Sequence, residues 1–353
     1  MASESETLEK VEFLRNPSHY PERPDGVDVI ETHFAWVFLA GRHAYKMKKP
    51  VQQASMDYRT LESRERGCRN ELKLNRRLAP LVYINVVPLA LDRCGDMVLG
   101  RGQRVVDWLV MMYRLPASRM LDRAIAEDTI GSGDIDAVAE LLCGFYRKTE
   151  RAPMSQSAYS ERLHERTLLN AAHLCAPDLA LHRSRIDPVI HAQLAYIADA
   201  GSVLGQRALR VVDGHGDLRP EHVYLGPQPC VIDCLEFDRD LRRLDPAEEI
   251  ANLALGCSRL GRTDLAQQLM RQYRTVMCDP VPETLLQFYM SQRAVTAAKI
   301  AAWHVRDPMY SRREPWIDLA DAYLDGATRY ARLALRQLEN KKPSLVDSGG
   351  PLS

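Results

Sequence analysis

The sequence predicts an α+β chain in two lobes, the first β-rich with one helix and the second mainly helical. Three observations lead there. Strand-like runs of β-branched and aromatic residues crowd the chain up to Tyr113, and helical periodicity dominates from Asp134 onward. The length, 353 residues with 46% hydrophobic and 27% charged side chains, suffices for two packed globular lobes. Forty-seven basic residues balance forty-seven acidic ones, so no global field recruits nucleic acid or an anionic membrane.

In chain order, residues 1–24 are polar and proline-bearing and read as an N-terminal extension. The first lobe, 25–114, begins with strands at Val27–Glu31 and Phe34–Leu39. Gly41-Arg42 is a two-residue turn, His43–Lys48 is the returning strand, and Pro50 ends it. Period-two alternation across that hairpin puts Val37, Leu39, Ala44, Lys46 and Lys48 on one face. Arg59–Leu78 reads as a helix with an apolar stripe through Leu61, Cys68, Leu72, Leu74 and Leu78, and with Glu62/Arg66 and Glu65/Arg69 as outer ion pairs. Glu71 falls near the middle of the stripe, where a carboxylate wants a cation; Lys46 or arginines of the same helix are the candidates. Strands at Val86–Leu91, Met97–Gly100 and Val105–Tyr113 complete the lobe.

The helical lobe, 115–340, carries helices at Asp134–Arg147, Ser160–Ala172 and Pro188–Ile197. After one interruption it resumes with Pro246–Leu255, Asp264–Thr275, Glu283–Arg306 and Pro315–Gln337. Asp245 reads as an N-cap followed by Pro246 at the first helical position. Arg293 and Lys299 lie near one face of their helix, either a solvated face or a receiver for an anionic acceptor. Residues 341–353 combine proline, glycine and serine and read as a flexible tail. The acidic N-terminus lacks the features of a secretory signal, and no apolar run approaches the ~18 residues of a membrane span. Eight cysteines are scattered without a CxxC pair, so free thiols and a cytoplasmic setting are expected.

The interruption, 213–238 at its heart, is the most informative stretch. It reads DGHGDLRPEHVYL, a Gly/Pro turn, then CVID. With Gly226–Pro229 as a hairpin loop, Leu225 faces Cys230, Tyr224 faces Val231, Val223 faces Ile232 and His222 faces Asp233. Asp217 lies on the loop feeding that hairpin, so Asp217, His222 and Asp233 converge. A carboxylate beside two metal-binding groups suits phosphoryl transfer. Two other readings stay open: His215, Asp217 and His222 as a hydrolase metal cluster, or a polar turn with His215 packed in the core.

HGDLRPEHV followed by VID resembles the catalytic loop and metal-binding strand end of the protein-kinase-like fold. The glycine after His215 is the form of the aminoglycoside and choline phosphotransferase branch, so the chain is identified as a member of the aminoglycoside phosphotransferase family. WVFLAGRHAYKMKKPV with ELKLNRRLAP is similar to an uncharacterised bacterial subgroup, some members of which carry an additional P-loop kinase domain. No GxxxxGK[ST] occurs in this chain, so a second nucleotide site is not expected.

The resemblance implies a bilobal fold and transfer of the terminal phosphoryl group of ATP or GTP to a hydroxyl of a small molecule. By position, Asp217 is the catalytic base, Arg219 steadies the transferred group, and Asp233 is the principal Mg²⁺ ligand. His222 stands where the family usually has asparagine; an imidazole there makes Mn²⁺ an alternative metal. Ala44-Tyr45-Lys46 resembles VAIK, which makes Lys46 the phosphate contact held by Glu71, with Lys48 second. Val37 and Ala44 would roof the nucleotide and Met112 would stand at the hinge. Residues 30–36 contain no glycine, so backbone amides or the Thr32 hydroxyl would have to cap phosphates. That absence and His222 motivate an alternative, a nucleotide-binding pseudokinase acting as a regulatory or scaffold module. No nucleic-acid or membrane partner is implied, and the oligomeric state stays open.

Overall fold

The computed structural model describes residues 4–53, 56–179, 181–306 and 312–339. The tail expected over 341–353 lies outside them. The chain divides into two compact units, Met1–Thr149 with Gly214–Arg243 and Glu150–Asp213 with Leu244–Ser353.

The first unit opens with helix α1 (Glu4–Arg15), then β1 (Val27–Glu31), β2 (Ala35–Ala40) and β3 (His43–Lys48). A small hairpin, β4 (Gln52–Gln53) and β5 (Met56–Asp57), leads to α2 (Leu61–Asn75), β6 (Tyr83–Leu91), β7 (Met97–Leu99) and β8 (Arg104–Tyr113). Helices α3 (Leu121–Ala126) and α4 (Asp134–Lys148) follow. The main sheet is antiparallel, in the order β1-β2-β3-β8-β6-β7. Its first hairpin has the expected register, with Ala40 opposite His43, Leu39 opposite Ala44 and Val37 opposite Lys46.

Alternation gives the sheet two working faces. On one, Phe38, Ala40, Tyr45, Met47, Leu89 and Leu109 pack with Val11 and Leu14 of α1 and with Tyr20. On the other, Ala44, Val86, Val110 and Met112 pack with Cys68 of α2, flanked by Val37 and Leu39. The stretch read as an N-terminal extension contains a helix that covers one face of the sheet. Its buried side is Thr7, Lys10, Val11 and Leu14, a helical stripe in which half the residues are polar. Lys10 is matched by Asp107 of β8, whose carboxylate it meets at 2.9 Å and which Arg64 of α2 grips at 2.7 and 3.1 Å.

The second unit begins with α5 (Gln156–Leu174), α6 (Arg183–Asp199), α7 (Gly201–Ala208) and β9 (Val212–Asp213). The chain then re-enters the first unit with β10 (Val223–Tyr224), β11 (Cys230–Val231) and α8 (Arg239–Arg242), and leaves it through β12 (Arg243–Leu244). Helices α9 (Pro246–Arg259), α10 (Thr263–Met277), α11 (Glu283–His304) and α12 (Glu314–Glu339) complete the second unit. Asp245 caps α9 as expected, accepting from Ala247 N–H at 3.0 Å. It also receives Arg207, at 2.6 and 2.7 Å, which binds Asp279 at 2.7 and 2.8 Å. All three are buried, so this ion triad ties α7 to the start of α9 and the end of α10. No described helix is long and apolar enough to cross a membrane.

Leu14 is fully buried between α1 and the sheet. Leu14→Ala is expected to lower unfolding stability by about 2–5 kcal/mol. Urea melts check this; an unchanged midpoint would mean that α1 is not part of the cooperative core.

Candidate active site

The site is built by the sheet face that carries the β3 lysines. Lys46 and Lys48 are two residues apart on one strand, so both ammonium groups point towards α2. Glu71 of α2 is wholly buried and takes both: Lys46 Nζ lies 3.0 Å from Oε1 and Lys48 Nζ 2.7 Å from Oε2. The Lys46 approach lacks hydrogen-bond alignment; Lys48 makes the bond. Lys46 instead donates to Asp233 Oδ1 at 2.5 Å. Lys48 also binds Glu236, which accepts from the Tyr58 hydroxyl at 2.7 Å. Gly67 makes room for this, since a Cβ there would stand 2.6 Å from the Tyr58 ring and 3.0 Å from Lys48 Cε. Burial by itself would lower the lysine pKa values, but Asp233 and Glu71 hold Lys46, and Glu236 and Glu71 hold Lys48, well above the ordinary range. The ion pairs therefore win over desolvation.

The loop 214–238 brings the remaining groups. The expected hairpin is corrected by one register step: Val223 pairs with Val231 and Tyr224 with Cys230. Leu225 does not face Cys230, because its N–H donates to Arg119 O at 2.8 Å, which draws it out of the ladder and lengthens the loop. Despite the slip, His222 and Asp233 meet at the open end, where Ile232 N–H donates to His222 O at 3.0 Å. His222 Nδ1 donates to Asp217 O at 2.8 Å. That leaves the Nε2 lone pair facing Asp233 Oδ2, 3.6 Å away, with Arg219 Nη2 at 3.1 Å. Arg219 also meets Asp217 Oδ2 at 3.0 Å.

Asp233 holds a left-handed backbone, φ 63°, unusual for a side chain with a Cβ. Neighbours hold it there. Its N–H donates to the Tyr83 hydroxyl at 3.2 Å, and Cys234 N–H donates to Asn75 Oδ1 at 2.9 Å. His215, fully buried, donates from Nε2 to Ile232 O at 2.9 Å and accepts Asp217 N–H at Nδ1, 3.3 Å. Partial withdrawal from water opposes ionisation of Asp233, but the Lys46 ammonium outweighs it and holds the carboxyl well below its usual range.

The structure thus brings together Lys46, Glu71, Asp217, Arg219, His222 and Asp233. Val37, Ala44 and Met112 share one apolar cluster with Ile232 and Cys230. Thr32 is not available as expected: its hydroxyl donates to Ala35 O at 2.9 Å and accepts from Ala35 N–H at 3.0 Å. The sequence reading missed Glu236, Tyr58, Tyr83 and Asn75. Of these only Glu236 left a signal, as an acid three residues beyond Asp233.

Among the described residues no group of three or more His, Cys, Asp or Glu is placed to hold a metal ion. Asp233 and His222 instead offer two donors on one side. That fits a cation which keeps waters and takes phosphate oxygens for its other positions.

A loop carboxylate and a strand-end aspartate beside a lysine–glutamate pair, on an antiparallel sheet with a helical partner unit, define a protein-kinase-like fold. Comparison with solved structures bears this out. The chain is similar to a choline/ethanolamine kinase family protein from Mesorhizobium loti, at TM-score 0.56 and 13% identity over 93% of this chain and 99% of that one. A glucosamine kinase in complex with glucosamine, ADP and inorganic phosphate gives 0.51 and 15%, over 90% and 82%. A thermostable mutant of aminoglycoside phosphotransferase APH(4)-Ia gives 0.50 and 12%, over 86% and 95%. The chain adopts the fold of these small-molecule kinases. In sequence it is 32% identical over 332 residues to uncharacterized proteins of Mycobacterium bovis and Mycobacterium tuberculosis, covering 92% of this chain. It spans 62% of the length of those relatives. No family model matches.

His215 gives a pH prediction. Burial, followed by the charge of His222, pulls its pKa down to about 4, against ~6.5 unfolded. The unfolded chain binds the extra proton first, so this contribution is complete above about pH 6.5 and lost as pH falls towards 4. About 3 kcal/mol is expected to go over that window. Denaturant melts of wild type and His215→Gln between these limits test it; parallel acid limbs in the two proteins would refute the assignment.

Proposed function

We propose that the chain is a phosphotransferase of the aminoglycoside phosphotransferase family, working in the cytoplasm, that moves the terminal phosphoryl group of ATP or GTP to a hydroxyl of a small molecule. The observation that carries this reading is the junction of Lys46, Glu71 and Asp233, with Asp217 and His222 on the adjoining loop. Lys46 exchanges Asp233 for the α- and β-phosphates, Glu71 steadying it throughout. Val37, Ala44 and Met112 offer an apolar slot to the base. Asp217 orients the acceptor hydroxyl and takes its proton while a new oxygen–phosphorus bond forms and the β–γ bridge breaks. Arg219, already beside Asp217, is placed to meet charge on the transferred group. Asp233 and His222 would hold Mg²⁺ or Mn²⁺, whose chemistry is to neutralise the nucleotide phosphates.

A second reading, a nucleotide-binding pseudokinase, is favoured by the imidazole at the metal position. Turnover separates the two. Asp217→Asn is expected to cut phosphoryl transfer to a pooled hydroxyl-metabolite library by about 10²–10⁴-fold while thermal stabilisation by ATP with Mg²⁺ persists. Stabilisation without turnover in the wild type favours the pseudokinase; no response to nucleotide sinks both.

The nitrogen donor makes a further prediction. Replacing His222 by asparagine supplies the oxygen that Mg²⁺ prefers. The ratio of Mg²⁺- to Mn²⁺-supported nucleotide stabilisation is expected to rise about tenfold in His222→Asn. An unchanged ratio would remove His222 from the metal site.

A further inference from the structure

The helical unit holds a second concentration of charge, in the seam between α5 and α11. Arg166 rises from α5, Arg293 and Lys299 from α11, and Glu248 enters from α9. Arg166 Nη1 and Arg293 Nη2 bind the same oxygen, Glu248 Oε1, at 2.7 and 2.8 Å. Arg166 Nε donates to Gln292 Oε1 at 2.8 Å. A single carboxylate oxygen thus serves two guanidinium groups. Arg166 Nη2 and Arg293 Nε remain buried with no acceptor. An unmatched buried donor on a cation costs more than one on a neutral group.

Lys299 adds a third charge. It is half-buried, with Nζ 5.1 Å over the Trp303 ring and no carboxylate partner among the described residues. Burial, then the charge of Arg166, lowers its pKa. The carboxyl of Glu248 is pulled down to about 2, its burial outweighed by Arg166 and Arg293, so its negative charge is fixed and already shared. The side chains of Arg166 and Arg293 are only 25% and 12% exposed. This is not the solvated helix face that the sequence left open. Three cations against one carboxylate, away from bulk water, repel one another with little screening.

We propose that this seam binds the anionic group of a small molecule, a carboxylate or a phosphate, through Lys299 together with Arg166 and Arg293. An added anion gives Lys299 its missing counter-charge and, with a small turn of the guanidinium groups, accepts from the two orphaned donors. An amine ligand would meet three like charges. The inference goes beyond the phosphotransferase reading and holds whether or not the chain turns over a nucleotide.

The test uses the full chain with sodium phosphate or sodium succinate, each against sodium chloride at matched ionic strength. Acetylation of Lys299 by acetic anhydride, followed by mass spectrometry, is expected to slow about fivefold on binding. Lys299→Gln breaks no ion pair and should fold; it is expected to lose more than half of the anion-dependent rise in melting temperature. Arg332→Gln, on the exposed side of α12, should keep all of it. Protection by phosphate alone assigns the seam to phosphorylated ligands, and protection by succinate assigns it to carboxylates. Equal acetylation with and without either anion, or undiminished stabilisation in Lys299→Gln, overturns the proposal.

Discussion

Glu71 is a carboxylate taken wholly out of water, and the rest of the site follows from the need to match its charge. Two lysines from one strand do so, one on each oxygen. Two buried lysines now need more than one acid, and Asp233 and Glu236 answer from a loop some two hundred residues away in sequence, at 2.5 Å for the first pair. Five charges then balance to one net negative, so the site as folded has a carboxylate to spare. The most exposed of the three is Asp233, 44% accessible, and it is where an added cation would find the least resistance.

The strained backbone at Asp233 has the same origin. For its carboxylate to face β3 while the chain continues towards α8, the residue must take a left-handed φ of 63°, at a cost of roughly 1–3 kcal/mol. Tyr83 from β6, Asn75 from α2 and His215 from the loop each hold a backbone group within one residue of it. The sheet, the helix and the loop are therefore joined at the residue that carries the strain. Such over-determination is what lets a strained backbone persist.

Much of this was legible in the sequence, and what was not has identifiable physical causes. Period-two alternation assigned the β3 lysines to their face because a hairpin closed by Gly41-Arg42 admits one register. The buried carboxylate at Glu71 stood out because it interrupted an apolar stripe. Helix α1 escaped notice because two of its four buried positions are Thr7 and Lys10, made tolerable by Asp107, a partner distant in sequence. The β10–β11 register was misjudged for a similar reason: the competitor for Leu225 is the carbonyl of Arg119, which no local pattern contains. Tyr83 and Asn75 look like ordinary strand and helix residues until the backbone of Asp233 and Cys234 is brought to them. Long-range polar contacts, in short, leave no periodic trace.

The charge balance of forty-seven against forty-seven conceals two opposite local imbalances. In the first unit, Glu71, Asp233 and Glu236 exceed Lys46 and Lys48 by one. In the second, Arg166, Arg293 and Lys299 exceed Glu248 by two. Both are local, so neither is visible in the average composition. Exposed ion pairs such as Arg59 with Asp57 could be rearranged with little effect on either region. The neutral total therefore says little about the local fields within each unit.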